Sequence, residues 1–186
     1  MAKAIAMKLR EAGDLYDIAS SKFFGSPTVP KEWLDQGFDE DEIFLCQIRL
    51  EDIAPFDMEE RLPHKGYLYI FLKTEEGRYN LKPIVRYYEG KPNVVIDFFN
   101  ECVSEYSHLI KDYLVEFCEV EEDEACTRLF GIPSDWNYSD DPPALLMQFD
   151  PLDCPADFLS EIDGFVYFFF EKCGEILKVF IHEEFS

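Results

Sequence analysis

Most of the stretch from Ser21 to Phe71 is written a second time between Thr127 and Phe169. Each copy opens alike, Ser21-Lys22-Phe23-Phe24-Gly25-Ser26-Pro27 against Thr127-Arg128-Leu129-Phe130-Gly131-Ile132-Pro133. Hydroxyl, cation, apolar pair, Gly, one residue and Pro keep their order. An apolar run broken by one amide follows, Phe44-Leu45-Cys46-Gln47-Ile48 against Leu145-Leu146-Met147-Gln148-Phe149, and then acidic residues. A β-rich block closes each copy, Gly66 to Phe71 against Gly164 to Phe169. Repetition in the same order implies two structurally related halves, at about 20–120 and 121–186, here expected within one compact domain spanning 1–186.

The chain of 186 residues can bury a core without disulfides or metals. Its 18 Phe and 10 Tyr make that core aromatic, and a hydrophobic content of 47% excludes a disordered composition. The six cysteines sit mostly inside apolar runs, and Lys3, Lys8 and Arg10 interrupt any early apolar signal, so reduced thiols in a cytoplasm are expected. No apolar run reaches the roughly 20 residues of a membrane helix, so no membrane partner is expected. A net charge of −22 opposes phosphate neutralisation and excludes nucleic acid as the natural partner. The same charge steers encounter with basic proteins.

Ile5, Leu9, Ala12 and Tyr16 recur at helical spacing and predict an N-terminal amphipathic helix from Ala2 to Ile18. Thr28 to Glu42 reads as an exposed loop with Trp33 tucked back. Ile43 to Leu50, Gly66 to Lys73, Leu81 to Tyr88 and Tyr113 to Val120 read as strands, and Asn93 caps a short helix from Val94 to about Val103. In the second copy, Leu145 to Phe149, Phe165 to Phe170 and Ile176 to Ile181 read as strands, the last two closing as a hairpin. The expected class is α+β, with mostly antiparallel sheet and the helix at the N-terminus.

Taken together, Ser21 to Pro27, Phe44 to Ile48, Leu62-Pro63 leading to Gly66-Tyr67-Leu68, Leu129 to Pro133, Leu145 to Asp150 and Gly164 to Phe169 resemble the YwqG-like family of bacterial domains of unknown function. Phe24 departs from that pattern, standing where a second Gly of a Gly-Gly-x-Pro turn is expected. The resemblance implies a fold, no agreed catalytic residues, and an immunity or toxin-binding role.

Chemistry-bearing residues are few. Gln47 and Gln148 put an amide in the middle of an apolar strand, where it must find partners. They either tie down neighbouring backbone or face a ligand. Lys22 and Arg128 occupy equivalent places and either neutralise local acids or hold an anion. His64, His108 and His182 are widely spaced, Asp150, Asp153 and Asp157 lack the spacing of a calcium loop, and no nucleophile elbow or phosphate-binding glycine pattern occurs. No cofactor or metal is expected. The composition therefore points first to a non-catalytic protein-interaction module with a basic protein partner. The alternative is a small-molecule binding protein or an enzyme using a cleft between the halves, lined by Lys22, Gln47, Arg128 and Gln148.

Overall fold

The structure, a computed structural model, describes residues 3–39, 41–74, 81–97, 99–100, 107–134, 136, 142–153, 164–170 and 179–183. The chain forms two compact units, one of Leu9–Val115 and one of Met1–Lys8 with Glu116–Ser186. Both are predominantly β.

In the Leu9–Val115 unit the strands are β2 (Lys22–Phe23), β3 (Thr28–Val29), β4 (Glu42–Arg49), β5 (Tyr67–Thr74), β6 (Leu81–Tyr88) and β7 (Val94–Val95), with the first residues of β8 (Tyr113–Val120). The sheet order is β8-β2-β4-β5-β6, each described pair antiparallel, and β3 pairs separately with β7. Two short helices, α1 (Glu32–Gln36) and α2 (Leu50–Ile53), complete it. The other unit lines up β1 (Ala4–Glu11), β9 (Arg128–Leu129), β10 (Leu145–Phe149), β11 (Val166–Phe170) and β12 (Val179–Glu183), each antiparallel to the next. β1 passes from this unit into the other after Lys8, and β8 passes the opposite way after Val115.

The N-terminal helix is not there, and with it falls the α+β class. Ala4–Met7 are all buried in β1, whose pattern inward from Ala4 is an unbroken apolar run. A strand covered on both faces needs no alternation, and the short Ala-rich run mimicked a helical stripe because Ile5 and Leu9 happen to stand four apart. Of the four residues of that stripe only Ile5 is buried, while Leu9, Ala12 and Tyr16 are half-buried, so the stripe has no single buried face. Val94–Val95, where the expected helix was to begin, is likewise a strand pairing with Thr28–Val29, and 98 and 101–103 of that expected helix, like the turn after Thr74, lie outside the described residues. Thr28 to Glu42 is not simply a loop: it holds β3 and α1, and Trp33 is buried. Among the described residues no helix is long and apolar enough to cross a membrane.

Register matches between the units residue for residue. Lys22 faces Gln47 and Gln47 faces Tyr69; Arg128 faces Gln148 and Gln148 faces Tyr167. Each long strand bulges at the same place, between Phe44 and Cys46 and between Leu145 and Met147. The bulged carbonyls of Leu45 and Leu146 accept the N–H of Phe24 (2.8 Å) and Phe130 (3.1 Å). Those two buried aromatics have φ of 54° and 63°, a left-handed backbone that costs a non-glycine residue about 1–2 kcal/mol and is held by that bond. Aromatic cores form on the same strands: Trp33 packs edge-on to Tyr69 at 5.0 Å, and Trp136 to Tyr167 at 6.5 Å.

Gly25 follows Phe24 at φ +66°, and a Cβ there would lie 1.9 Å from Asp112 Oδ1 and 2.8 Å from its backbone nitrogen. Gly25→Ala is expected to cost at least about 2 kcal/mol, read as a lowered urea midpoint. Gly13→Ala, where nothing lies within 4 Å, should leave the midpoint nearly unchanged.

Candidate functional site

Gln47 and Gln148 are fully buried, each at the centre of its unit's sheet. The Gln47 carbonyl oxygen accepts Thr28 N–H at 2.8 Å, and its amide nitrogen donates to Ser20 O (2.9 Å) and Ile18 O (3.3 Å). Gln148 repeats the arrangement, accepting Ser134 N–H at 2.9 Å and donating to Cys126 O and Ser134 Oγ, both at 3.1 Å. Directly opposite, the hydroxyl of Tyr69 donates to Thr28 O at 2.7 Å, and that of Tyr167 donates to Ser134 O. The hydroxyl that opens each copy is used too: Ser21 Oγ accepts Arg49 N–H at 2.9 Å, and Thr127 Oγ1 accepts Asp150 N–H at 3.0 Å. These amides therefore pin loops to strands. Every donor and acceptor they carry is committed inside their own unit.

The equivalent cations differ in chemistry. Arg128 is buried and donates through Nε to Glu124 O at 2.8 Å, through Nη1 to Phe130 O, and through Nη2 to Ile132 O and to Gln148 Oε1 (3.3 Å). Burial depresses its pKa, and each of its three nitrogens donates to a carbonyl oxygen. Lys22 is as deeply buried and too short for that reach. Its ammonium sits 3.4 Å from Asp112 Oδ2 and 5.6 Å from the centre of the Tyr16 ring. Asp112 also accepts the Tyr16 hydroxyl and, at 2.9 Å, Ser26 N–H. Burial pushes Lys22 down from 10.5 to about 8. It pushes Asp112 up from 3.8 to about 6, against the pull of Ser26 N–H. Their mutual attraction works the other way, favouring both charged forms.

So the structure groups Lys22 with Gln47 in one unit and Arg128 with Gln148 in the other, each pair enclosed by its own sheet and turns. Asp112 and the buried Asn100, whose amide clamps both Phe44 N–H (2.8 Å) and Phe44 O (3.0 Å), have no motif around them that would have marked them in the sequence. An open depression of about 490 Å³ is lined by Glu60 to His64. Three of its residues are turned to the buried Asp57, which accepts Arg61 Nε–H and Leu62 N–H, both at 3.0 Å, while His64 Nε2 donates to Asp57 O at 3.1 Å. The side chains of His108 and His182, and residues Asp157 and Cys173, lie outside the described residues. Among the described residues no three His, Cys, Asp or Glu side chains converge as a metal set. Burial raises the Cys46 thiol far above its ordinary range and Cys126 to about 11, which leaves both poor nucleophiles.

No family model matches the chain, and no curated protein or solved structure matches it.

Gln47→Leu strips partners from buried Thr28 N–H and Ser20 O, and Gln148→Leu does the same at Ser134 and Cys126. Each should cost about 2–4 kcal/mol in urea unfolding. An amide held in reserve for a ligand would instead be replaced at almost no cost. The depressed Lys22 makes a pH prediction. Between about 8 and 10.5 the unfolded chain carries a proton on Lys22 that the folded one lacks, so this group adds stability as pH rises through that window. The urea midpoint of the wild type relative to Lys22→Met should therefore climb from pH 8 to 10.5, where a flat difference would show an ordinary lysine.

Proposed function

We propose that the protein is a non-catalytic interaction module that binds a basic protein partner, and that it acts in the cytoplasm. The observation that carries this reading is the net charge of −22 on a chain whose buried Lys22, Gln47, Arg128 and Gln148 are all engaged internally. What remains for recognition is an acidic surface, which accelerates encounter with a positive partner and repels nucleic acid. The resemblance of Ser21 to Pro27 and its second copy to YwqG-like domains adds a specific version, in which the partner is a toxin and binding neutralises it. The small-molecule and enzyme alternative names those same four side chains, and their internal hydrogen bonds favour the interaction reading over it.

Capture on the immobilised protein from native cytoplasm, repeated from low to moderate salt, tests this. One basic protein should be retained in stoichiometric amount above about 0.15 M salt, with its association rate falling as salt rises. A set of basic proteins that all wash off together by that point would mean charge without specificity, and would sink the proposal.

A further inference from the structure

Arg86 is held quite differently from Arg128. It stands on β6 beside Tyr69 of β5, and its guanidinium carbon lies 4.5 Å from the ring centre of Phe38, 5.5 Å from Phe71 and 5.6 Å from Trp33. At the end of this aromatic box is Glu42, the first residue of β4, with a side chain only 3% exposed. Arg86 reaches it through one nitrogen, Nη2, at 3.4 Å and 3.5 Å from the two carboxylate oxygens. Charge-assisted bonds of this kind are ordinarily about 2.7–2.9 Å, and the strong arrangement sets two nitrogens on two oxygens. The Glu42 carboxylate otherwise accepts Asp39 N–H at 3.2 Å. Three rings and a buried carboxylate thus enclose a place for a flat cation, and the side chain in it binds with one of its nitrogens. Trp33, Phe71 and Glu42 are buried beneath it, and solvent reaches this place along Arg86, whose side chain is 22% exposed, and past the half-buried Phe38.

We infer that Trp33, Phe38, Phe71 and Glu42 form a recognition site for an arginine side chain of a basic partner protein, kept filled by Arg86 until the partner's guanidinium replaces it. This rests on the basic-partner reading and names where such a partner is gripped. Replacing one guanidinium by another exchanges like for like, so the aromatic contacts are conserved and the incoming group gains by pairing both nitrogens with Glu42. A lysine ammonium has no flat face to lie against the rings and no fork for the carboxylate, so the site selects arginine. The rim is acidic as well: Asp39 and Asp41, both paired with Lys73 at 2.7 Å and 3.2 Å, lie in the turn that leads into Glu42.

The test uses the full chain with methylguanidinium, N-acetylarginine amide and N-acetyllysine amide as probes, read by thermal shift and by the Nε–Hε NMR signal of Arg86. Arg86→Ala empties the box and should bind methylguanidinium at least about tenfold more tightly than the wild type, which must first release its own occupant. Adding Phe38→Leu to that variant should cost about tenfold again, and the lysine probe should bind more weakly than the arginine one throughout. In the wild type, N-acetylarginine amide should move the Arg86 signal. A folded Arg86→Ala that gives no methylguanidinium-dependent shift overturns the inference. If that variant does not fold, an Arg86 signal in the wild type that N-acetylarginine amide leaves in place overturns it equally. The two readings separate at the partner: capture that survives Phe38→Leu unchanged removes the box and leaves the interaction module standing. Absence of any partner removes the module, while methylguanidinium binding still decides the box.

Discussion

A carboxamide in the middle of a dry strand has an acceptor and two donors to satisfy, and in this protein that requirement shapes each unit. Gln47 and Gln148 reach across the sheet to the loop before the short strand and to the loop after it. The bulge beside each amide turns a strand carbonyl toward the aromatic residue that opens the turn. The tyrosine opposite each amide closes the loop from the other side. Leaving any of these groups unpaired would cost about 1–3 kcal/mol, comparable with the left-handed strain at Phe24 and Phe130 that the arrangement tolerates. Fold and hydrogen bonding are here one problem.

The two copies solve the neighbouring charge differently. Arg128 is long and forked, so it can spend its donors on backbone carbonyls and needs no acid. Lys22 cannot, and Asp112 fills the space beside Gly25 with a carboxylate, much as the Arg128 guanidinium lies beside Gly131. A single Lys-for-Arg difference between equivalent positions thus goes with a counter-ion from the residue just before β8. The unit with the lysine carries a buried ammonium pushed down to about 8 beside a half-buried carboxyl pushed up to about 6, and the unit with the arginine has no such pair at that place.

Much of the β architecture was legible because it is local. The apolar runs at Ile43 to Leu50 and Leu145 to Phe149 are too short for helices, and the repeated order of hydroxyl, cation, Gly and Pro marked equivalent turns. Gln47 and Gln148 stood out as amides in apolar surroundings, and the structure uses them as loop anchors. β1 was not legible, because whether Ala4 to Met7 is a helix or a strand depends on β9 beside it, more than a hundred residues away in sequence. Asp112 had no signature either, since its partners Tyr16, Lys22 and Ser26 come from distant segments. The box around Arg86 is hidden for the same reason: its rings come from α1, the turn after it and β5.

The way the chain is divided between the units has a consequence for how it is made. Leu9–Val115 is continuous, so a ribosome delivers that whole unit in one stretch. The apolar segment at Ala4–Met7 belongs with residues that begin at Glu116. At about 5–20 residues per second it waits on the order of ten seconds for them. During that time an edge meant for β9 is a sticky end, tethered to a unit that is free to fold without it. Vectorial synthesis therefore makes the continuous unit a finished platform, and the discontinuous one closes last around the segment that left the ribosome first.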